Sequence, residues 1–280
     1  MLVTTDLSLE GVHFRREWQS PECIGHRCLA RGLSDIAAMG GRPVAAFLSL
    51  AVPAKLPQTW VDRFFSGLLR LAKQHEVSLA GGDTAQSTAG IVADIIVVGS
   101  VKRGQTLLRS GARAGDQIYV TGELGESAAV LHLLSSGAVK KSDVLPQPRV
   151  AVGEWLARKR VASAAIDISD GLSTDLAHIC EESEVGAIIA ADTIPIHPSA
   201  RKLKTERRPS SRSDIALDLA LHGGEDYELL FAAAKSKRVP NQIAGVKITR
   251  IGEIVRGTKL RLIRKDKPER LVPRGWEHFR

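Results

Sequence analysis

The sequence is short of aromatic residues, short of cysteine and without a long apolar run, and each shortage excludes something. Phe, Trp and Tyr make up 4% of the 280 residues. The core is therefore expected to be filled by Ala, Val, Leu and Ile, which suits helices packed on β-sheet better than an aromatic-rich sandwich. The three cysteines, Cys23, Cys28 and Cys180, are odd in number and form no CxxC pair, which points to reduced thiols in a cytoplasmic protein. No apolar stretch approaches the roughly 18 residues needed to span a bilayer. The N-terminus lacks the basic-then-apolar order of a signal peptide, so no membrane association is expected.

Familiar catalytic signatures are missing too. There is no P-loop ending in Gly-Lys-Ser/Thr, no GxGxxG, no HRD or DFG pair, no HExxH and no GxSxG. If this chain binds phosphate, acidic side chains and magnesium have to do much of the work.

What is present is ordinary for a globular protein: 44% apolar and 25% charged residues, in a chain long enough for one large or two ordinary domains. The net charge is +8, from 39 Lys and Arg against 31 Asp and Glu. Much of the excess sits at Arg201, Lys202, Lys204, Arg207, Arg208 and Arg212, and in the tail from Lys265 to Arg280. No aromatic interleaves the 201–212 run to stack a base, so it reads as a solvated, mobile loop, and no nucleic-acid partner is expected.

Helical and strand patterns alternate along the chain. Ser20 followed by Pro21 opens a helix whose apolar positions run from Ile24 to Ala37, stopped by Gly40-Gly41. Strands are expected at 44–52 (buried), 77–80 (ending at Gly81-Gly82-Asp83) and 91–98, with a helix over 59–74. A polar, Gly-rich stretch at 109–116 suggests a boundary. Beyond it, strands are expected at 118–121, 164–168, 186–190, 227–232 and 247–255, and helices at 127–134 and 172–182.

Five acidic motifs accompany small residues at the ends of these elements: Thr4-Thr5-Asp6, Leu33-Ser34-Asp35, Gly82-Asp83, Asp167-Ile168-Ser169-Asp170-Gly171 and Gly224-Glu225-Asp226. Glycine beside a carboxylate lets the backbone approach a ligand closely, and magnesium is held by one or two carboxylates plus phosphate oxygens. One such aspartate is more often a turn or helix cap than a ligand. Their number favours a site where several metal ions meet nucleotide phosphates.

The words TTDLSLEGVHF, LSDIAAMGGRP, GGDT, LLRSGARAGD, IDISDGL, GGEDYELLF and GWEHF, in this order over nearly the whole chain, resemble the thiamine-monophosphate kinases. That family belongs to a superfamily of ATP-using synthetases. The resemblance implies an α/β (α+β) fold of two αβ domains: residues 1–110, a mixed-sheet domain for Mg2+, ATP and dimerisation, and residues 111–280, a larger αβ domain. It implies ATP- and magnesium-dependent phosphorylation of thiamine monophosphate to thiamine diphosphate by in-line transfer, in a homodimer, with no general base. Metal binding would fall to Thr4, Thr5, Asp6, Asp35, Asp83, Asp167 and Asp170. ATP contacts would come from Gly82, Asp83, Arg109 and Ser169, and thiamine contacts from His13, Glu225 and Trp276. Members of the family usually carry a further Gly-Asp-Asp segment ahead of this stretch, so one acid and one strand are expected to be missing from the first domain. The alternatives are a catalytically weakened nucleotide-binding protein of the same family, or another synthetase of the superfamily.

Overall fold

The structure is a computed structural model that describes residues 1–203 and 214–276; most of the basic 201–212 run, and the last four residues of the tail, lie outside them. The first half runs β1 (Leu2–Leu9), α1 (Pro21–Ala38), β2 (Arg42–Pro53), α2 (Gln58–Gln74), β3 (Ser78–Ser87) and β4 (Val92–Ser100). Its sheet has the order β1-β4-β2-β3, with β4 antiparallel to both neighbours and β2 parallel to β3. This is the mixed sheet anticipated from the sequence.

The second half continues with β5 (Gln117–Thr121), α3 (Glu126–Ser135), α4 (Val150–Lys159), β6 (Ala162–Asp167), α5 (Leu172–Glu182), β7 (Gly186–Ala190), α6 (Pro198–Arg201) and α7 (Ile215–His222). Then come β8 (Leu229–Ala233), β9 (Gln242–Ile243), β10 (Val246–Val255), β11 (Leu260–Arg264) and β12 (Lys267–Arg270). Its sheet runs β12-β11-β7-β10-β5-β8-β6, with β9 paired to β10.

α1 begins as the sequence suggests: Ser20 caps it by accepting from the Cys23 N–H at 3.1 Å, and Pro21 takes the first turn. The helix is buried on nearly every side. It meets α2 backbone to backbone, because a Cβ on Gly25 would lie 2.0 Å from the Phe64 carbonyl oxygen and one on Gly67 would lie 1.9 Å from that of Glu22. Its other neighbours include β1, β4, α4 and β6, so one hydrophobic core joins α1 and the first sheet to Val152, Leu156, Phe231 and Ile248 of the second half. A second core fills the far side of the larger sheet with Leu172, Leu176, Ile189, Leu217 and Ile254.

Three expectations need correction. β2 is not buried on both faces: Val44 and Phe47 are 51% and 37% exposed, because helices cover only one side of the first sheet. β3 does not end at Gly81-Gly82-Asp83 but runs through it, held in a parallel ladder with β2. The strand expected from Tyr227 begins at Leu229, because Glu225 and Tyr227 both take left-handed φ values, 62° and 51°, which no strand accommodates.

Candidate active site

A cleft of about 1220 Å³ opens between the halves and collects most of the residues singled out in the sequence: Thr5, Asp6, His13, Asp35, Asp167, Ser169, Asp170, Glu225 and Trp276. They arrive from separate elements. Asp6 lies within β1 rather than at a strand end, Asp35 in the last turn of α1, and Asp167 at the end of β6. Thr4 donates its hydroxyl to Asp35, and Thr5 donates to Asp94 at 2.8 Å.

Asp6, Asp35 and Asp167 crowd each other. Burial, and then the Asp35 charge, push the carboxyls of Asp6 and Asp167 up to about 7. At Asp167 a 2.6 Å hydrogen bond from Ser34 and the positive charge of Arg109 pull the other way. Carboxylates held in mutual repulsion are the chemistry of a cation site. Among the described residues, no three acids, histidines or cysteines converge closely enough to cage an ion.

The turn after β6 is built to present Ser169 and Asp170. Asp175, one turn into α5, accepts the backbone N–H groups of Asp170 and Gly171 at 3.2 and 3.0 Å. The loop 223–228 lies against this turn, with Glu225 N–H donating to the Ser169 carbonyl at 2.8 Å and Tyr227 N–H to that of Ile168 at 3.0 Å. The tail docks on the same turn: Gly275 N–H reaches the Thr174 hydroxyl at 3.0 Å and Trp276 N–H the Asp170 carbonyl at 3.1 Å. A Cβ on Gly275 would sit 2.1 Å from that carbonyl oxygen, so glycine is what allows the tail to deliver Trp276, 50% exposed, to the cleft.

His13 is oriented by the Leu9 N–H, which donates to its Nδ1 at 3.0 Å. Glu225 gives one carboxylate oxygen to Arg27 and the other to Arg31. Burial opposes its charge, but the two guanidiniums outweigh burial and hold it below the usual carboxylate range.

Four expected residues do not line the cleft: Thr4, Gly82, Asp83 and Arg109. Gly82 and Asp83 stand on β3 at the far edge of the first sheet, and Arg109 sits exposed in the connector, acting on Asp167 through its charge. The register aligns Leu7, Asp94, Ser49 and Asp83 in one row on the uncovered face, which leaves Asp83 two strand spacings, roughly 10 Å, from Asp94.

Sequence reasoning missed Arg27, Arg31, Ser34 and Asp94. Arg27, Arg31, Ser34 and Asp35 follow a helical spacing of four, three and one, so polar residues forming one stripe on a helix otherwise rich in apolar and small residues were the available signal. Asp94 was the lone acid in the β-branched run of β4.

Two family models match the chain, AIR synthase related protein, N-terminal domain, over residues 1–101, and AIR synthase related protein, C-terminal domain, over residues 113–265. The thiamine-monophosphate kinase of Bacillus subtilis (strain 168) is 35% identical over 296 aligned residues, covering 100% of this chain and 88% of its own. The crystal structure of the thiamine-monophosphate kinase from Stenotrophomonas maltophilia K279a superposes with a TM-score of 0.84 at 37% identity, over 93% of this chain and 84% of that one. A structure of AaThiL complexed with AMPPCP and TMP gives a TM-score of 0.85 at 30% identity, over 99% and 86% of the two chains.

Proposed function

This chain belongs to the AIR synthase related family, among its thiamine-monophosphate kinases, and from that premise we propose that it makes thiamine diphosphate and ADP from thiamine monophosphate and ATP. The observation that carries the reading is one cleft lined both by the carboxylates of Asp6, Asp35, Asp167 and Asp170 and by His13, Glu225 and Trp276.

The acceptor is a phosphate monoester whose second pKa lies near ~6, so it is largely a dianion at neutral pH. Its oxygen attacks the γ-phosphorus of ATP, and the bond from that phosphorus to the β-phosphate oxygen breaks, leaving ADP. No proton has to be removed first, and no general base is required. The barrier is the meeting of two anions: even unit charges ~4 Å apart repel by about 4 kcal/mol at an effective dielectric of 20. Magnesium ions, when bound, would supply the positive charge that offsets this repulsion. Asp6, Asp35, Asp167 and Asp170 would hold them, with Thr4 and Thr5 fixing the adjoining carboxylates. Ser169 would contact the nucleotide, and Arg109 would add charge from the connector. Trp276 would stack on the cationic ring, beside His13 and Glu225.

We further propose a homodimer through the uncovered face of the first sheet, where Val3 and Leu7 are 58% and 50% exposed beside Val44 and Phe47. Pairing two such faces would bring Gly82 and Asp83 to the interface, which accommodates their expected roles at metal and nucleotide. Residue 110 is proposed as the boundary between the halves, and three unpaired cysteines support a cytoplasmic setting.

The test is product formation from thiamine monophosphate, ATP and Mg2+, with Asp35→Ala as control. Product from the wild type, reduced by about 100-fold or more in the variant, is the expected result. A well-folded chain that binds ATP and yields no thiamine diphosphate would overturn it.

A further inference from the structure

Arg27 and Arg31 were not part of the expected site, yet both line the cleft. They lie one helical turn apart on α1, with Arg31 one turn from Asp35, so the row from acid to second guanidinium spans ~12 Å along the helix axis. Their side chains are only 7% and 11% exposed. Each is fixed from behind by a backbone carbonyl, Arg27 by that of Val144 at 3.3 Å and Arg31 by that of Leu7 at 2.8 Å. The Arg31 Nε is buried with no hydrogen-bond partner. Between the two forks sits one carboxylate, that of Glu225, on a backbone with φ of 62°.

Two guanidiniums face the Glu225 carboxylate, the Asp6 charge also acts on Arg31, and one donor, the Arg31 Nε, is left over. Paired arginine forks match the oxygens of a phosphate monoester, and two guanidiniums match its double charge. We infer that Arg27 and Arg31 are the holders of the acceptor phosphate, and that Glu225 occupies their forks until the substrate arrives and then turns to its cationic ring. The arginines are anchored and Glu225 is the exchangeable member, so binding swaps one ion pair for two: phosphate with the arginines, carboxylate with the ring. The α1 spacing puts the phosphate one turn from Asp35, beside the γ-phosphate that the acids would hold. This rests on the reading of the cleft as a thiamine monophosphate site. It adds a specificity-determining pair and gives Glu225 two successive partners.

The experiment measures binding of thiamine monophosphate, thiamine and inorganic phosphate by calorimetry for the wild type, Arg27→Lys, Arg31→Lys and Glu225→Gln. Steady-state KM for both substrates is measured in parallel. Each lysine variant keeps the charge and loses the fork. Each should weaken thiamine monophosphate by ~10-fold or more while changing thiamine, and the KM for ATP, by less than ~2-fold. Glu225→Gln should move two ligands in opposite directions, binding thiamine more weakly and inorganic phosphate more tightly than the wild type does. A merely structural role would move all ligands together. Equal losses for thiamine and its monophosphate in the lysine variants, or no gain in phosphate binding by Glu225→Gln, would overturn the inference. The phosphate comparison decides this even if the wild type forms no thiamine diphosphate, a result that would count against the function and not against the arginines.

Discussion

Ser34 donates a 2.6 Å hydrogen bond to the carboxylate of Asp167, tying α1 to the end of β6 across 133 positions of sequence. The bond is buried, and it fixes one acid of the second half against those from the first. Packing and chemistry meet at this contact, and the first prediction follows from it.

Removing one crowded acid should raise stability while destroying activity. Asp35→Asn is expected to lift the melting temperature of the ligand-free protein by a few degrees, about 1 kcal/mol, since the Asp35 charge acts on both Asp6 and Asp167. Thiamine diphosphate formation should fall by about 100-fold or more. Calorimetric melting beside a product assay checks both; a variant that melts lower than the wild type would contradict the repulsion.

Asp226 should make stability depend on pH. Burial, helped by the charges of Glu228 and Glu126, pushes its carboxyl up to about 8, against hydrogen bonds from Gly125 and Ser127 N–H groups. An unfolded Asp titrates near ~3.9. The folded chain therefore keeps a proton that the unfolded chain releases, and this contribution is full below about pH 4 and lost as pH rises to about 8. Asp226→Asn keeps an acceptor for Gly125 and removes the titration. Its advantage over the wild type should grow through this window by at most about 1.4 kcal/mol per pH unit. Urea unfolding at several pH values reads this directly, and parallel profiles would refute it.

The tail can be displaced without touching its aromatic ring. Gly275→Ala puts a methyl against the Asp170 carbonyl and should mimic Trp276→Ala. Each is expected to raise the KM for thiamine monophosphate by ~10-fold with little change in that for ATP. If only Trp276→Ala has an effect, the tail is held by something other than this contact.

Phe47→Glu places a charge in the middle of the uncovered sheet face, in register with Ile96 and Gly81. It should shift a dimer to monomers without lowering the melting temperature of the monomer. Sedimentation equilibrium separates the outcomes, and an unchanged mass would remove this face as the interface.

What the sequence made legible was local. Asp167-Ile168-Ser169-Asp170-Gly171 reads as strand, turn and helix start from neighbouring residues alone, and α5 lies where its pattern puts it. β3 was cut short because Gly81-Gly82-Asp83 has the composition of a turn, while the ladder with β2 holds it extended, a tertiary preference overriding a local one. α4 and α7 went unread. The first follows a proline-rich stretch, and the second is eight residues of nearly unbroken apolar character, which has little periodicity to detect. Arg27 and Arg31 showed only as a polar stripe on α1, which normally marks a solvated face; the Glu225 loop, about 200 residues on, reveals what they meet.

The double service of α1 governs how the molecule can move and come apart. It packs against the first sheet on one side and against α4 and β6 on another, and a Cβ on Gly153 of α4 would fall 2.0 Å from the Ala37 carbonyl oxygen. Halves joined so closely cannot swing open like a book without shearing that seam. Entry to the cleft falls instead to the exposed part of its lining, which includes Val12 and Leu131. By the same token a fragment ending near residue 110 would carry α1 with one flank bare, so heat should dismantle both halves in a single transition.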